Sequence, residues 1–262
     1  MRIARFANAG EVAYGIVEDQ GNGASGGQGA IAELHGHPFG ADPGSLRFTG
    51  TRYPVAEVRL LAPVLPSKVI AVEGNYPDTG DGRAEPVLFL KPSTSVAGPN
   101  DPIAYPVKIT ERVEHEGELA VIIGRLCRDV PAHRAAEVIF GYACANDVTA
   151  RDLQERDGQW TRAKGFDTFC PLGPWIETDL DPADLELVTR VNGDVRQHAR
   201  TSRLRMAVPA LIAYVSQIMT LLPGDVLLTG TPAGTGPLTD GDEVAVTIEG
   251  IGTLSNRVIT RD

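Results

Sequence analysis

Short runs of apolar residues, many of them β-branched, recur along this chain and are interrupted by glycine and proline. Runs of this kind are typical of buried β-strands. They predict strands over residues 3–6, 12–17, 69–72, 119–124 and 138–145. Most of the remaining sequence also has the character of strands and turns, so we predict a mixed, β-rich (α+β) fold.

Helical patterns stand out in two segments. In the first, Asp129 precedes an early proline, Pro131, which is how a short helix commonly starts. The second covers about residues 209–222, where apolar residues recur at the spacing of one helix face: Leu211, Val215, Ile218, Met219 and Leu222. We therefore predict two helices, the second of them with one apolar face.

Segments rich in glycine or proline divide the chain. Residues 21–29 are mostly glycine and small residues, which predicts a flexible loop without a functional role. The prolines of residues 62–66 precede the predicted strand at 69–72, and we place a domain boundary there. The sequence thus predicts a small N-terminal domain, residues 1–62, and a larger one, residues 63–262.

The chain has 34 acidic and 24 basic residues, a net charge of -10, and no run of basic residues. Neither a nucleic acid nor an anionic membrane is therefore expected as a partner. The glycine run at 230–236 lacks the lysine of a phosphate-binding loop, which argues against a nucleotide. The N-terminus is too short and polar for a signal peptide and no long apolar run follows, so we expect a cytoplasmic protein.

The cysteines Cys127, Cys144 and Cys170 lie far apart and form no C-x-x-C pair. This spacing predicts neither a disulfide framework nor a zinc site. We interpret all three as small buried side chains.

Two glutamates separated by one glycine precede the apolar run at 119–124. Alternate residues of a strand point to the same side, so Glu116 and Glu118 would lie next to each other. Asp147 follows the predicted strand at 138–145 and would add a third carboxylate. Such a cluster repels itself unless a proton or a cation compensates it, and oxygen ligands favour Mg²⁺, Mn²⁺ or Ca²⁺ over zinc. The alternative is that both glutamates face solvent on a half-exposed strand.

Further segments resemble a known family: residues 89–94 (FLKPST), 148–175, 221–236 (LLPGDVLLTGTPAGTG) and 248–256 (IEGIGTLSN). Through them the chain resembles the fumarylacetoacetate hydrolase superfamily over nearly all of its length after residue 63. The resemblance implies a β-roll of several sheets, a homodimer, and Mg²⁺ or Mn²⁺ as cofactor. It also implies a small 2-oxo acid as substrate, in reactions that include C–C hydrolysis, decarboxylation and tautomerisation.

The resemblance also implies roles for individual residues. Glu116, Glu118 and Asp147 match the metal ligands of the family, and Lys164 matches its active-site lysine. An ammonium group there would stabilise negative charge that develops on an enolate; the alternative is a solvated surface lysine. Three further residues match positions that face the substrate: Arg151, Gln154 and Thr231.

Each of the substrate-facing residues also has a purely structural interpretation. Arg151 could instead form a salt bridge with Asp152 or Asp157, and Gln154 could be an ordinary surface amide. Thr231 could serve only the turn in which it lies.

The segment after Asn75 departs from the family pattern. Hydrolytic members carry a histidine and a glutamate there, on a lid, and this pair activates the attacking water. Here Thr79 stands at the histidine position and Gly82 at the glutamate position, and the glycines predict an irregular loop instead of a lid helix. Isomerisation or decarboxylation through a metal-bound enolate is therefore favoured over hydrolysis.

A different group would then have to carry the proton. The candidates are Glu73, Asp78 and Asp81 on or beside the altered loop, and His115 next to the metal ligands; exposed acids and a packed histidine are the alternatives. Our main hypothesis is an isomerase of the hydroxyhepta-diene-dioate type, or a decarboxylase. A hydrolase of acylpyruvate-like substrates and a binding protein without turnover are the other hypotheses.

Overall fold

The structure is a computed structural model that describes residues 1–18, 29–39, 46–79 and 85–261. The predicted loop at 21–29 therefore lies outside the described residues except for residue 29. Asp81 and Gly82 of the altered loop also lie outside them.

Strands dominate the described chain. Their bounds are β1 Arg2–Asn8, β2 Glu11–Glu18, β3 Ala30–Leu34, β4 Phe48–Pro54, β5 Arg59–Leu61, β6 Val69–Glu73, β7 Val87–Lys91, β8 Val96–Ala97, β9 Ile103–Pro106, β10 Val113–His115, β11 Gly117–Ile123, β12 Ile139–Asn146, β13 Thr149–Ala150, β14 Cys170–Glu177, β15 Glu186–Val191, β16 Asp194–Arg200, β17 Val226–Leu228, β18 Gly236–Pro237, β19 Glu243–Ile248 and β20 Gly252–Arg261. The five strands predicted from the apolar runs are all present, and the predicted β-rich fold is confirmed.

Helices are few and short among the described residues. The α-helices are α1 Arg151–Asp157, α2 Thr161–Lys164 and α3 Val208–Ile218. The 3-10 helices are Val55–Glu57, Ser93–Ser95, Ala132–Glu137, Pro182–Asp184 and Thr201–Arg203. None of the described helices combines the length and the apolar character that crossing a membrane would require.

The described strands form three sheets. The largest has twelve strands, ten of them in the order β4-β3-β2-β1-β14-β12-β11-β17-β6-β7, with β5 paired to β1 and β8 to β14. A second sheet has the order β13-β10-β18 and a third the order β16-β15-β19-β20-β9. The first strands of the chain thus join the same sheet as β11 and β12, through the antiparallel pair of β1 with β14. The division into residues 1–62 and 63–262 stays a prediction.

The helix predictions are partly wrong. The segment that follows Asp129 forms a 3-10 helix, Ala132–Glu137, and Pro131 rather than Asp129 is its N-cap residue. The second predicted helix ends at Ile218, because the backbone of Met219 is already extended. Ile218 is 50% exposed, so within the helix the predicted apolar face is buried only at Leu211 and Val215.

The two sides of β11 pack into different parts of the core. Leu119 and Val121 belong to a cluster that includes Leu211 of α3. Ala120 belongs to a second cluster on the other side of the sheet. Because side chains alternate along a strand, Glu118 points to the same side as Ala120.

All three cysteines are buried and unbridged, as predicted. Burial raises the pKa of the Cys144 and Cys170 thiols to about 12. Thiols with such a pKa are almost fully protonated near neutral pH, so they act as apolar packing groups.

Candidate active site

Three buried carboxylates lie close together where strand β11 begins and the neighbouring strand β12 ends. Glu116 directly precedes β11, Glu118 is its second residue, and Asp147 directly follows β12. One oxygen atom of each carboxylate lies within 4.8 Å of the others, and all three residues are buried. The alternative in which the glutamates face solvent is therefore wrong.

Glycine separates the two glutamates because a larger residue would not fit. A Cβ atom on Gly117 would lie 2.0 Å from Oγ1 of Thr189, which belongs to β15 of another sheet. Real side chains do not approach so closely. Gly117 thus lets β15 pack directly against the start of β11 and fixes where the two glutamates lie.

The backbone around Glu116 is held by Asn146 and Asp147. The Glu116 N–H donates to the side-chain oxygen of Asn146 at 2.9 Å, and the Asp147 N–H donates to the Glu116 carbonyl at 2.8 Å. These bonds connect the ends of β11 and β12, so the carboxylates of Glu116 and Asp147 are fixed relative to each other.

Lys164 joins two of the carboxylates. Its Nζ lies 2.8 Å from Oε2 of Glu116 and 2.8 Å from Oδ2 of Asp147, and the residue is only 2% exposed. Nζ also lies 4.8 Å from the centre of the Phe89 ring. Burial alone would lower the pKa of Lys164, but the charges of Asp147 and Glu116 raise it well above its ordinary value. The interpretation as a solvated surface lysine is therefore wrong, and the ammonium is charged.

Arg151, the first residue of α1, pairs with Glu114 and Glu116, whereas its structural interpretation expected Asp152 or Asp157. Its Nε donates to Glu114 at 2.9 Å and its Nη2 donates to Oε1 of Glu116. Its Nη1 donates to the side-chain oxygen of Gln154, which is buried. Gln154 thus orients the guanidinium group of Arg151.

A second lysine, Lys91, was not singled out from the sequence. It is the last residue of β7, is 1% exposed, and donates from Nζ to Oδ1 of Asp147 and to the carbonyl of Val148. The position of Lys91 at the end of an apolar strand was the sequence signal that could have identified it. A lysine buried there needs a compensating negative charge nearby.

Glu118 differs from the other two carboxylates. Its described hydrogen bond comes from the backbone N–H of Gly230, at 2.6 Å from Oε2. No described ammonium or guanidinium group donates to it. Burial, and then the charges of Asp147 and Glu116, raise the pKa of Glu118 well above its ordinary value. For Glu116, burial acts in the same direction, but the charges of Lys164 and Arg151 and their hydrogen bonds outweigh it and lower the pKa.

This donor set fits a hard divalent cation. The three carboxylates provide only oxygen atoms, which Mg²⁺ and Mn²⁺ prefer. Burial and the neighbouring carboxylates disfavour a charged Glu118, and a cation held by Glu116, Glu118 and Asp147 would offset that cost.

A cavity of about 180 Å³ opens onto this cluster. Two of the three clustered carboxylates contribute to its wall, with polar and apolar groups from five other segments. The lining residues relevant to the site are Glu73, Thr79, Phe89, Glu116, Glu118, Arg151 and Thr231. The structure thus brings Arg151 and Thr231 to the same cavity as Glu116 and Glu118.

The hydroxyl group of Thr231 is engaged within the protein. It donates to the Gly117 carbonyl at 2.9 Å and accepts a hydrogen bond from Nε2 of Gln197 at 2.8 Å. The side-chain oxygen of Gln197 in turn accepts from the Gly117 N–H at 2.9 Å. Thr231 and Gln197 therefore support the start of β11, a role that the sequence did not indicate for Gln197.

Two of the alternative proton carriers are engaged elsewhere. Asp78 forms an exposed ion pair with Arg203. His115 is 1% exposed and its Nδ1 lies 3.4 Å from the side-chain oxygen of Gln197; burial lowers its pKa. The structure thus favours the packed interpretation of His115.

Fold and site together define an enzyme of the fumarylacetoacetate hydrolase superfamily. The chain belongs to the FAA hydrolase family, because the family model "Fumarylacetoacetate (FAA) hydrolase C-terminal" matches residues 68–259. A second model, "Rv2993c-like, N-terminal", matches residues 1–63. The resemblance inferred from the sequence is confirmed.

Three similar proteins illustrate the range of the family. The structure of 2-hydroxyhepta-2,4-diene-1,7-dioate isomerase from Mycobacterium marinum is 54% identical, with a TM-score of 0.91, and the match covers 100% of this chain and 99% of that one. Maleylpyruvate hydrolase from Sphingobium sp. SYK-6, solved with manganese(II) and pyruvate, is 35% identical, with a TM-score of 0.80 and complete coverage of both chains. The mitochondrial oxaloacetate tautomerase Fahd2a of Rattus norvegicus is 42% identical over 223 residues, 79% of this chain and 71% of the relative.

Proposed function

We propose that this chain is a Mg²⁺- or Mn²⁺-dependent isomerase or tautomerase of a small 2-oxo or 2-hydroxy-dienoic acid. The observation that carries the proposal is the cavity of about 180 Å³ in whose wall acidic groups and the Arg151 guanidinium meet. Pockets for drug-sized ligands commonly measure about 300–1,000 Å³, so this cavity suits a small acid.

We assign the metal to Glu116, Glu118 and Asp147. A divalent cation bound there would supply a Lewis acid for the carboxylate and keto oxygens of a 2-oxo acid. The manganese(II) in the maleylpyruvate hydrolase structure supports a cation of this class.

The side chains of this site have further roles in the proposal. Lys164 stabilises the negative charge that an enolate places on oxygen, and its contacts with Glu116 and Asp147 keep it next to the metal ligands. Arg151 binds an acidic group of the substrate and is oriented by Glu114 and Gln154. Thr231 contacts the substrate from another segment of the cavity wall, through its side chain or its backbone.

The choice of isomerisation rests on the altered loop. With Thr79 and Gly82 at the positions of the water-activating pair, the chain keeps groups that stabilise an enolate and lacks that route to an activated water. The isomerase and tautomerase names of two relatives support the same choice. Decarboxylation of a β-oxo acid needs the same stabilisation of an enolate, so we keep it as an alternative reaction within this proposal.

Hydrolysis of an acylpyruvate-like substrate is the second candidate, supported by the maleylpyruvate hydrolase structure. A binding protein that keeps the carboxylate cluster and has lost turnover is the third, and the altered loop is what supports it.

A set of substrates separates these candidates. Oxaloacetate, an acylpyruvate and a hydroxymuconate analogue are each incubated with the protein, with Mg²⁺ and with a chelator. A spectral change without a change of mass identifies the proposed isomerase, and released CO₂ identifies a decarboxylase. Labelled water oxygen in a product acid identifies a hydrolase instead. If Mg²⁺ raises the melting temperature but none of the substrates is turned over, the proposed isomerase is wrong and the chain is a binding protein.

We also propose that the protein is a homodimer, as the family resemblance implies, and that it is cytoplasmic. Its net charge of -10 supports the expectation that neither nucleic acid nor an anionic membrane is a partner.

A further inference from the structure

Glu73 lies on the side of the large sheet that carries the carboxylate cluster. It ends β6, in which Val69 and Ala71 alternate with residues of the opposite side. Both belong to the same core cluster as Ala120 of β11. Since side chains two apart share a side of the sheet, Glu73 points to the side on which Glu118 lies.

Glu73 lies in the wall of the cavity, and the described residues leave its carboxylate free. It lines the cavity together with Glu118, Arg151 and Thr231. It is half-buried, and no other described residue forms a hydrogen bond or an ion pair with it. Half-buried carboxylates normally have such partners, so a free one in a cavity is available to a ligand.

The other acidic groups near the cavity are already occupied. Glu116 and Glu118 are assigned to the metal in the proposed function, and Asp78 is paired with Arg203 outside the cavity. Among the described residues of the cavity wall, this leaves Glu73 as the carboxylate that can exchange a proton with a bound molecule.

We propose that Glu73 is the acid–base residue that moves the proton at C3 of the 2-oxo acid. This assignment rests on the proposed function. In it, Glu73, on the strand before the altered loop, takes the place of the missing His–Glu pair. It deepens the function by naming the group that performs the proton transfer.

The proton transfer balances without another reagent. In the keto-to-enol direction, the Glu73 carboxylate takes a proton from C3, and the C–H electron pair becomes the C2–C3 double bond. The π pair of the C2 carbonyl moves onto its oxygen, which takes a proton from water. Glu73 then returns its proton to water, and the opposite direction reverses each transfer.

The electrostatic surroundings of Glu73 suit this task. Burial, and then the charge of Glu116, raise its pKa above the ordinary value, with Asp147 acting in the same direction. Lys164 and Arg151 oppose this effect. A carboxylate with a raised pKa is a stronger base towards a C–H proton than an ordinary carboxylate.

The test measures deuterium incorporation at C3 of oxaloacetate in D₂O with saturating Mg²⁺, after subtraction of the rate without enzyme. The variant Glu73→Gln keeps the size of the side chain and removes the acid. We expect its enzyme-dependent exchange to fall by at least about 100-fold. Its affinity for oxalate, an analogue without C3, should stay within about threefold of wild type. The matched control Asp78→Asn removes the same charge outside the cavity and should keep the wild-type rate.

A second variant distinguishes a lost acid from a distorted site. Glu73→Ala leaves space, and added formate should restore its exchange by at least about tenfold. Exchange in Glu73→Gln within threefold of wild type overturns the assignment, and so does Glu73→Ala without rescue. If wild-type protein does not accelerate exchange at all while it binds Mg²⁺ and oxalate, the proposed tautomerisation of oxaloacetate fails, and the assignment falls with it.

Discussion

At the scale of single residues, charge compensation distinguishes the three clustered carboxylates. Glu116 and Asp147 each contact cationic groups, from the buried Lys164 and Lys91 and the partly buried Arg151. For Glu118 the described donor is a backbone N–H. Glu118 is therefore the carboxylate whose charge a bound cation would compensate most.

Replacement of Glu118 by Gln tests this dependence. We expect the affinity for Mg²⁺ and Mn²⁺ to fall by at least about tenfold, because one anionic ligand is lost. The metal-free variant should melt at no lower temperature than metal-free wild type, since the amide removes the repulsion from Asp147 and Glu116. Titration calorimetry and thermal unfolding with and without chelator measure both effects. Unchanged metal affinity would remove Glu118 from the metal site.

The raised pKa of Glu118 predicts that the stability of the metal-free protein depends on pH. The pKa of Glu118 is raised above its ordinary 4.5, so the folded protein retains a proton that the unfolded chain releases above that pH. The corresponding stability is fully present below about pH 4.5 and is lost as the pH rises through the raised pKa. The lowered pKa of Glu116 acts only below pH 4.5, where stability is lost as the pH falls.

Urea unfolding in the presence of a chelator measures this effect. Above about pH 4.5, wild-type protein should lose stability relative to Glu118→Gln as the pH rises. A constant difference between the two proteins from pH 4.5 to 8 would contradict the prediction.

Lys164 combines a structural and a proposed catalytic role. Lys164→Met leaves two buried carboxylates without this partner, and loss of one partner of a buried ion pair costs about 3–5 kcal/mol. We expect the metal-free protein to be destabilised by about that amount and turnover to fall by at least about 100-fold. Lys68→Met is the matched control, because Lys68 pairs with the buried Asp225 instead. Equal turnover in the two variants would exclude Lys164 from the mechanism.

At the scale of elements, the start of β11 is fixed by the sheet packed against it. Thr189 of β15 occupies the space where a side chain at position 117 would lie. Its hydroxyl has no hydrogen-bond partner among the described residues, although it is buried. The glycine between Glu116 and Glu118 is thus explained by a contact with a strand about 70 residues away in sequence.

This contact predicts a pair of compensating substitutions. Gly117→Ala should destabilise the protein by about 1–3 kcal/mol through overpacking and lower its metal affinity, because the adjacent glutamates must move. Thr189→Ala removes a buried hydroxyl without a described partner and should be nearly neutral. The double variant should regain most of the stability and metal binding of wild type. Additive losses in the double variant, measured by urea unfolding and calorimetry, would show that Thr189 does not cause the defect.

At the scale of the whole molecule, the large sheet brings together strands from residue 2 to residue 228 of the chain. Its edge strand β7 exposes Leu90, which is 49% accessible, and further large apolar side chains are exposed elsewhere, including Leu65 and Leu126. Scattered apolar side chains of this kind are normal on a protein surface and do not by themselves indicate a subunit interface. The homodimer that the family resemblance implies stays a prediction.

The homodimer has a direct physical test. Sedimentation equilibrium should give twice the chain mass of 27.9 kDa across micromolar concentrations, in both metal-loaded and chelated protein. A mass of one chain at every concentration would show that the protein is a monomer.

The pattern of the sequence predicted five of the twenty described strands, the three clustered carboxylates and the family resemblance. Apolar runs and the spacing of Glu116 and Glu118 depend on residues close in the chain, and their periodicity is visible without a structure. The end of the helix at Ile218 was not visible in this way, because the apolar pattern continues through Leu222 after the backbone has become extended.

Contacts between groups that are distant in sequence depend on the fold. Lys91 contacts Asp147, Thr189 excludes a side chain at Gly117, and Glu73 reaches the same cavity as Glu118. These contacts join segments that are far apart in sequence, and local periodicity contains no information about them. Whether a carboxylate is paired, buried or free depends on such contacts, and that is why the roles we propose for these residues required the fold.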